Sequence, residues 1–236
     1  MATPGGNLVL TINAGSSSIK FALYPLAPGL TPVCQGAIAD IGEAHSRFYV
    51  NGSAGDTFER RFPIPETVTA VNVLVDWLTE RLAPASVAAI AHRVVGMASA
   101  ATTECIGAAT LARLYDAMHC DPGHLPQEIR LIEALRHHFP DALHLACSDS
   151  GFHASMPDRA ARLAIPRAYH AQGIRRLGFH GLSCAYLMGA LAATAGAAAA
   201  DGKVVIAHLG GGASVTAVAA GAAATPAWAW PRPAAS

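Results

Sequence analysis

Apolar residues in the first third of the chain fall in short runs or alternate with polar ones. Leu8–Ile12 is a short apolar run, NAGSSS breaks it, and Ile19–Tyr24 resumes with alternating character. That pattern predicts two strands joined by a turn. Further strands are predicted at Val33–Ala39, Arg47–Val50 and Phe58–Phe62. The period then changes: Val68, Val71, Val73, Leu74, Trp77, Leu78 and Leu82 keep near-helical spacing, so Val68–Leu82 is predicted to be a helix. Val87–Val95 reads as a buried strand, Leu111–Met118 and Leu125–Phe139 as helices, and His144–Cys147 as a strand ending at Asp149. Leu182–Ala193 reads as a helix, and Val204–Ala207 and Ser214–Ala219 as strands flanking LGGGAS. Strands first, then helix and strand in alternation, predict an α/β fold rather than a bundle or a sandwich.

Composition narrows the function classes. The 236 residues suffice for one large domain, or one domain and part of another. Hydrophobic residues make up 52% and charged residues 14%, with a formal net charge of zero, so nothing points to nucleic acid as a partner. No stretch reaches the roughly 18 unbroken apolar residues of a membrane span. The start, MATPGGNLVL, has no basic segment leading into a long apolar run, so no signal peptide is expected. Five scattered cysteines without CxxC spacing fit a reduced, cytoplasmic compartment.

Two glycine-rich turns carry the candidate chemistry. NAGSSSIK joins two strands and does not lead into a helix, so it is neither a P-loop nor a dinucleotide-binding fingerprint. Its hydroxyls and backbone N–H groups, with Lys20 close by, suit phosphate oxygens, although an ordinary hairpin turn has the same sequence requirements. HLGGGAS repeats the logic with three glycines that permit close backbone approach to a ligand. His119, Cys120, Asp121 and His124 cluster in sequence, but their spacing matches no standard zinc pattern.

Five blocks in order give the chain a family likeness: LVLTINAGSSSIKFALY, AIAHRVV, SDSGFHASMP, IPRAYHAQGIRRLGFHGLS and VVIAHLGGGAS. Together they resemble the acetate kinase family, over about Leu8 to Gly221. The resemblance implies an actin-like, ribonuclease H-like ATPase fold: a mixed β-sheet flanked by helices, followed by an incomplete second domain of the same type. Boundaries are expected at 1–150 for the first domain and 151–224 for the start of a nucleotide-binding domain, with 225–236 as a tail. In that superfamily two such hairpins face each other across the nucleotide phosphates.

The activity implied is reversible, Mg²⁺-dependent phosphoryl transfer from ATP to acetate, giving acetyl phosphate and ADP. Propionate and butyrate kinases are near neighbours. The resemblance implies that Asn13 lies at the magnesium, and that Ser16, Ser18 and Lys20 line the phosphates together with His208, Gly210, Gly211 and Gly212. It implies that Arg93 contacts the carboxylate and the moving phosphoryl group, that His180 hydrogen-bonds that group, and that Asp149 orients the acid or an arginine. PGHLP resembles a family segment and so implies that His124 lies beside the phosphate path, and the family resemblance implies that Val95 and Phe179 form part of a small apolar pocket for the acyl chain. A cytoplasmic homodimer, with no membrane or nucleic-acid partner, completes the implied picture. The chemistry is coherent, because a loose phosphoryl-transfer transition state calls for positioned donors around its equatorial oxygens. Arginine's rigid fork suits both carboxylate and phosphate.

Three departures qualify the match. The family usually follows HRVV with histidine and two glycines, where this chain has Gly96, Met97 and Ala98. The second turn usually carries asparagine where Gly211 stands. Family chains also run considerably longer, and Thr225–Ser236 (TPAWAWPRPAAS) does not fit them. A typical family continuation, DTSMGM and then proline and glycines, read one base late gives TPAWAWPRPA. A frameshift between about Gly221 and Thr225 is therefore expected. A product ending at Ser236 is expected to be poorly stable and impaired or inactive, which leaves a non-catalytic remnant as the alternative.

Overall fold

A computed structural model describes residues 7–15, 17–29, 31–95, 102–119, 121–210 and 212–230. Ser16, Gly211 and the Gly96-Met97-Ala98 segment lie outside the described residues, as do Cys120 and 231–236. The chain divides into two compact units, Met1–Val94 with Glu104–Cys147, and Val95–Thr103 with Ser148–Ser236.

Unit one is built on strands β1 (Leu8–Ala14), β2 (Ser18–Pro25), β3 (Cys34–Ala39), β4 (Ser46–Gly52) and β5 (Thr57–Phe62), followed by helix α1 (Thr67–Arg81). Strand β6 (Val87–Val94), a short β7 (Thr103–Cys105), helices α2 (Ala108–Ala117) and α3 (Leu125–His138), and strand β8 (Leu143–Ser148) follow. The strands form one mixed sheet in the order β5-β4-β3-β2-β1-β6-β8-β7. Strands β1 to β5 form an antiparallel meander, whereas β1 and β6 pair in parallel. The α/β expectation, with a mixed sheet flanked by helices, is met.

Alternation along the strands decides which face is covered. Leu10, Ile12 and Ala14 on β1, Ile19, Phe21 and Leu23 on β2, and Ile90 on β6 are buried. They join Ala70, Val71, Leu74, Val75 and Leu78 of α1 and Leu131 and Leu135 of α3 in one core. Each buried leucine contributes roughly 1.5–3 kcal/mol. Helix α1 ends where Pro84 is two residues past Leu82, and Leu82 N–H closes the last turn on the Leu78 carbonyl at 2.8 Å. Helix α3 has Pro126 in its first turn and stops at Phe139 before Pro140, because a residue ahead of proline disfavours helical geometry.

Unit two contains short helices α4 (Asp158–Ala161) and α5 (Arg167–Ala171), helix α6 (Gly181–Ala195), a single turn α7 (Ala197–Ala200), and strands β9 (Lys203–Leu209), β10 (Ala213–Ala219) and β11 (Ala222–Trp230). The strands form an antiparallel sheet ordered β11-β10-β9. Its core joins Cys184 and Met188 of α6 to Ala200, Ile206 and Val218. The sequence pattern predicts two strands here, and the structure adds a third. Strand β11 pairs with β10 through register shifts, with Pro226 opposite Thr216. A proline, which has no N–H to give, is tolerated on an edge strand, and ladder pairing uses backbone groups whatever the side chains. Strand β7 and helices α4, α5 and α7 were also not foreseen, being too short to show a period. No helix among the described residues is long and apolar enough to cross a membrane.

Candidate active site

The first group of site residues belongs to unit one and follows from the same alternation. With Leu10, Ile12 and Ala14 turned to the core, Asn13 is turned to the opposite face of β1 and is exposed. Register pairs Asn13 with Lys20 on β2, and the parallel pairing of Ile12 with His92 brings Arg93 of β6 alongside. Lys20, Asn13 and Arg93 thus form a row across three adjacent strands on the face away from the core. Arg93 Nη1 donates to Asn13 Oδ1 at 3.1 Å, which holds the guanidinium at the β1–β2 turn. The turn is a tight hairpin in which Gly15 N–H donates to the Ser18 carbonyl at 2.7 Å.

Also in unit one, His124 immediately precedes α3, with Nδ1 2.9 Å from Asp121 Oδ1. Among the described residues no group of three or more His, Cys, Asp or Glu is arranged to hold a metal ion.

The second group belongs to unit two. Strand β8 runs into Asp149, which is 3% exposed, and α6 starts just after His180. His180 has φ 57° and ψ 29°, a left-handed conformation that costs a non-glycine residue roughly 1–2 kcal/mol. Asp149 holds it there: Asp149 Oδ2 accepts the His180 N–H at 3.3 Å, and the Asp149 carbonyl accepts the Gly181 N–H at 2.7 Å. Gly181 is needed for this approach, since a Cβ there would stand 2.4 Å from the Asp149 carbonyl oxygen.

The His180 ring has partners on the β9–β10 hairpin. Ser214 pairs with His208 in register, so both face α6. His180 Nδ1 and Ser214 Oγ share a 2.8 Å hydrogen bond, and the His180 and His208 rings stack with centroids 4.0 Å apart. His208 Nδ1 in turn bonds Ser183 Oγ, in the first turn of α6, at 3.1 Å. A Cβ added to Gly212 would lie 3.7 Å from His180 Nε2, so the glycine turn runs beside that nitrogen. Val95 is buried and Phe179 half-buried, both in unit two.

Sequence reasoning thus has one group of its site residues in each unit, Asn13, Ser18, Lys20, Arg93 and His124 in the first, and Val95, Asp149, Phe179, His180, His208, Gly210 and Gly212 in the second. It missed the hydroxyls that meet the stacked histidines: Ser214 on His180 and Ser183 on His208. The hydroxyl beside the LGGGA turn was a usable signal for Ser214. Outside these groups His45, His137 and His138 are exposed, while His170 is half-buried with Nε2 3.5 Å from Asp158 Oδ2.

Comparison with known proteins gives a consistent result. The model of the Acetokinase family matches residues 8–227. An acetate kinase of Rhodopseudomonas palustris (strain TIE-1) is 39% identical over 221 residues, which is 90% of this chain and 54% of that protein. An acetate kinase of Streptomyces coelicolor is 37% identical over 222 residues, with the same two shares. The chain therefore spans about half the length of these relatives. The crystal structure of Porphyromonas gingivalis acetate kinase superposes with a TM-score of 0.80 at 25% identity, covering 95% of this chain and 58% of that one. A propionate kinase from Francisella tularensis gives 0.79 at 27% identity, covering 94% and 57%.

Proposed function

The chain belongs to the acetokinase family, and on that premise we propose that it carries the acid- and phosphoryl-handling part of an acetate kinase. The reaction is reversible transfer of the γ-phosphoryl group of ATP to acetate, giving acetyl phosphate and ADP. The observation that carries this reading is His180, locked in a left-handed conformation by Asp149 and stacked on His208 beside a glycine turn. A conformation that is costly to hold is retained where a side chain must point one way.

In this reading Arg93 binds the carboxylate and the equatorial phosphoryl oxygens, and Asn13 fixes the direction of its fork. Acetate needs no general base, because it is already the nucleophile. His180 Nε2 donates a hydrogen bond to the phosphoryl group in flight, and His124 supports it from the side. Lys20, Ser16 and Ser18 at the first turn, and His208, Gly210, Gly211 and Gly212 at the second, receive the nucleotide phosphates. Val95 and Phe179 bound the methyl group. Asn13, exposed at the phosphate turn, would be the residue nearest a magnesium ion, which binds mainly through substrate phosphates and its own waters. Bound there it would neutralise charge on the phosphates. In the same reading the protein acts in the cytoplasm as a homodimer, as its family membership implies.

Propionate is a second candidate acid, favoured by the likeness to the Francisella tularensis enzyme. To test the assignment, the chain is joined to the part of the Rhodopseudomonas palustris relative beyond the stretch it matches. Acyl phosphate is then trapped with hydroxylamine, using acetate, propionate and butyrate. Arg93→Ala and His180→Ala are each expected to lower turnover by about 10²-fold or more, the scale for removing a transition-state donor. An active fusion indifferent to both changes refutes the assignment. So does a fusion that binds Mg-ATP yet forms no hydroxamate with any of the three acids.

A further inference from the structure

We propose that Ser150 and His153 are positioning residues that set the backbone of the 178–181 turn and so aim the His180 imidazole; this rests on the reading of His180 given above. Residues 149–153 and 178–181 face each other group for group. Ser150 Oγ–H donates to the Gly178 carbonyl at 2.9 Å, and His153 Nε2–H donates to the Phe179 carbonyl at 2.9 Å. Asp149 then takes the His180 and Gly181 N–H groups. Four consecutive residues of the turn are thereby held by one short segment that ends in a turn of 3-10 helix at Gly151–His153.

Packing reinforces the hydrogen bonds. His153 is 1% exposed, and Gly178, with φ 78°, lies against its ring. A Cβ on Gly178 would come within 2.4 Å of His153 Cγ. The Phe179 carbonyl can only accept, so Nε2 carries the proton and Nδ1 is left as a buried acceptor with no partner. Burial holds the ring neutral by lowering its pKa, against the opposing effects of the Phe179 bond and the Asp149 charge. A neutral ring with one committed proton gives a fixed donor direction. The His180 angles φ 57° and ψ 29° are the outcome, because the carbonyls before the residue and the amides at and after it are all tied down.

The test uses the chain as it is and does not depend on turnover. Amide hydrogen exchange at His180 and Gly181 is compared with that at Ile206 and Val218 in the same unit. His153→Ala is expected to speed exchange at His180 and Gly181 about tenfold or more, the equivalent of one lost hydrogen bond, with Ile206 and Val218 unchanged. The His180 ring ¹⁵N signals should shift as its bond to Ser214 loosens. Ser150→Ala should act in the same direction. His153→Gln, which keeps a donor near the Nε2 position, should restore most of the protection. Unchanged exchange at His180 and Gly181 in His153→Ala would overturn the proposal. Uniform loss of protection across unit two without rescue by His153→Gln would also overturn it, since that marks a merely structural residue. A fusion without kinase activity would bear on the reading of function alone and leave the exchange result to decide the clamp.

Discussion

Acidification from pH 7 to pH 5 is expected to destabilise unit one through a buried histidine pair. His92 on β6 and His144 on β8 are 2% and 6% exposed. His144 Nε2–H donates to the Phe139 carbonyl at 3.1 Å, which leaves His144 Nδ1 to accept from His92 Nε2–H, also at 3.1 Å. Both rings are thereby neutral, and a proton added to His144 Nδ1 would break the chain of bonds. Burial, then the neighbouring His144, then Arg136 push the His92 pKa down to about 3. Burial also lowers that of His144, partly opposed by its bond to Phe139. In the unfolded chain both rings titrate near 6.5.

Below that pH the unfolded state binds more protons than the folded one, so stability falls as pH falls. The contribution is fully present above about pH 6.5 and is lost progressively toward pH 3. Each proton of difference is worth about 1.4 kcal/mol per pH unit, so His92 alone removes about 2 kcal/mol between pH 7 and pH 5. His144 adds in the same direction. Urea unfolding followed by the NMR methyl signals of Leu74 and Ile90 reports unit one by itself. The wild type should lose at least about 2 kcal/mol between pH 7 and pH 5, and His92→Gln should lose about one proton's worth of that slope. A flat wild-type profile, or a variant with the wild-type slope, would refute the reasoning.

Two glycine substitutions test close approach rather than backbone angle. A Cβ on Gly36 would lie 2.4 Å from the Tyr49 carbonyl oxygen and 2.9 Å from Phe21 Cζ. Gly36→Ala should therefore cost about 1–3 kcal/mol in unit-one unfolding, the range for overpacking; no loss would show that β3 and β4 part freely. Gly181→Ala sets two effects against each other. Alanine favours a helix by about 1 kcal/mol, yet its Cβ would meet the Asp149 carbonyl at 2.4 Å. The clash should win, giving a fusion as inactive as His180→Ala with unit-one stability unchanged; a gain in stability with full activity would contradict it.

The family blocks named Arg93 and His180 by resemblance, and most elements followed from hydrophobic period. Helix α1 was legible because Val71, Leu74 and Leu78, all of them buried, repeat at helical spacing and nothing interrupts them before Pro84. Strands β1 and β2 were legible because a short apolar run, Leu8–Ile12, and an alternating one, Ile19–Tyr24, flank the NAGSSS break. Elements of three to five residues, such as β7, α4 and α5, lie below the length at which a period can be recognised. The third strand β11 was missed for a different reason. Its pairing is written in backbone hydrogen bonds to β10, and these leave little trace in side-chain pattern.

The candidate site divides along the same line. Residue type and order are local properties, and they named Asn13, Lys20, Arg93, Asp149 and His180. The row Lys20–Asn13–Arg93 joins residues far apart in sequence, and only strand register sets them side by side. The same holds for His92 against His144, and for Ser150 and His153 against the His180 turn. A serine or histidine in a sequence looks the same whether exposed or buried. Burial and partner choice arise only when distant segments pack, so the sequence determined which groups are present, and the tertiary structure decided which are neutral, tied down or aimed.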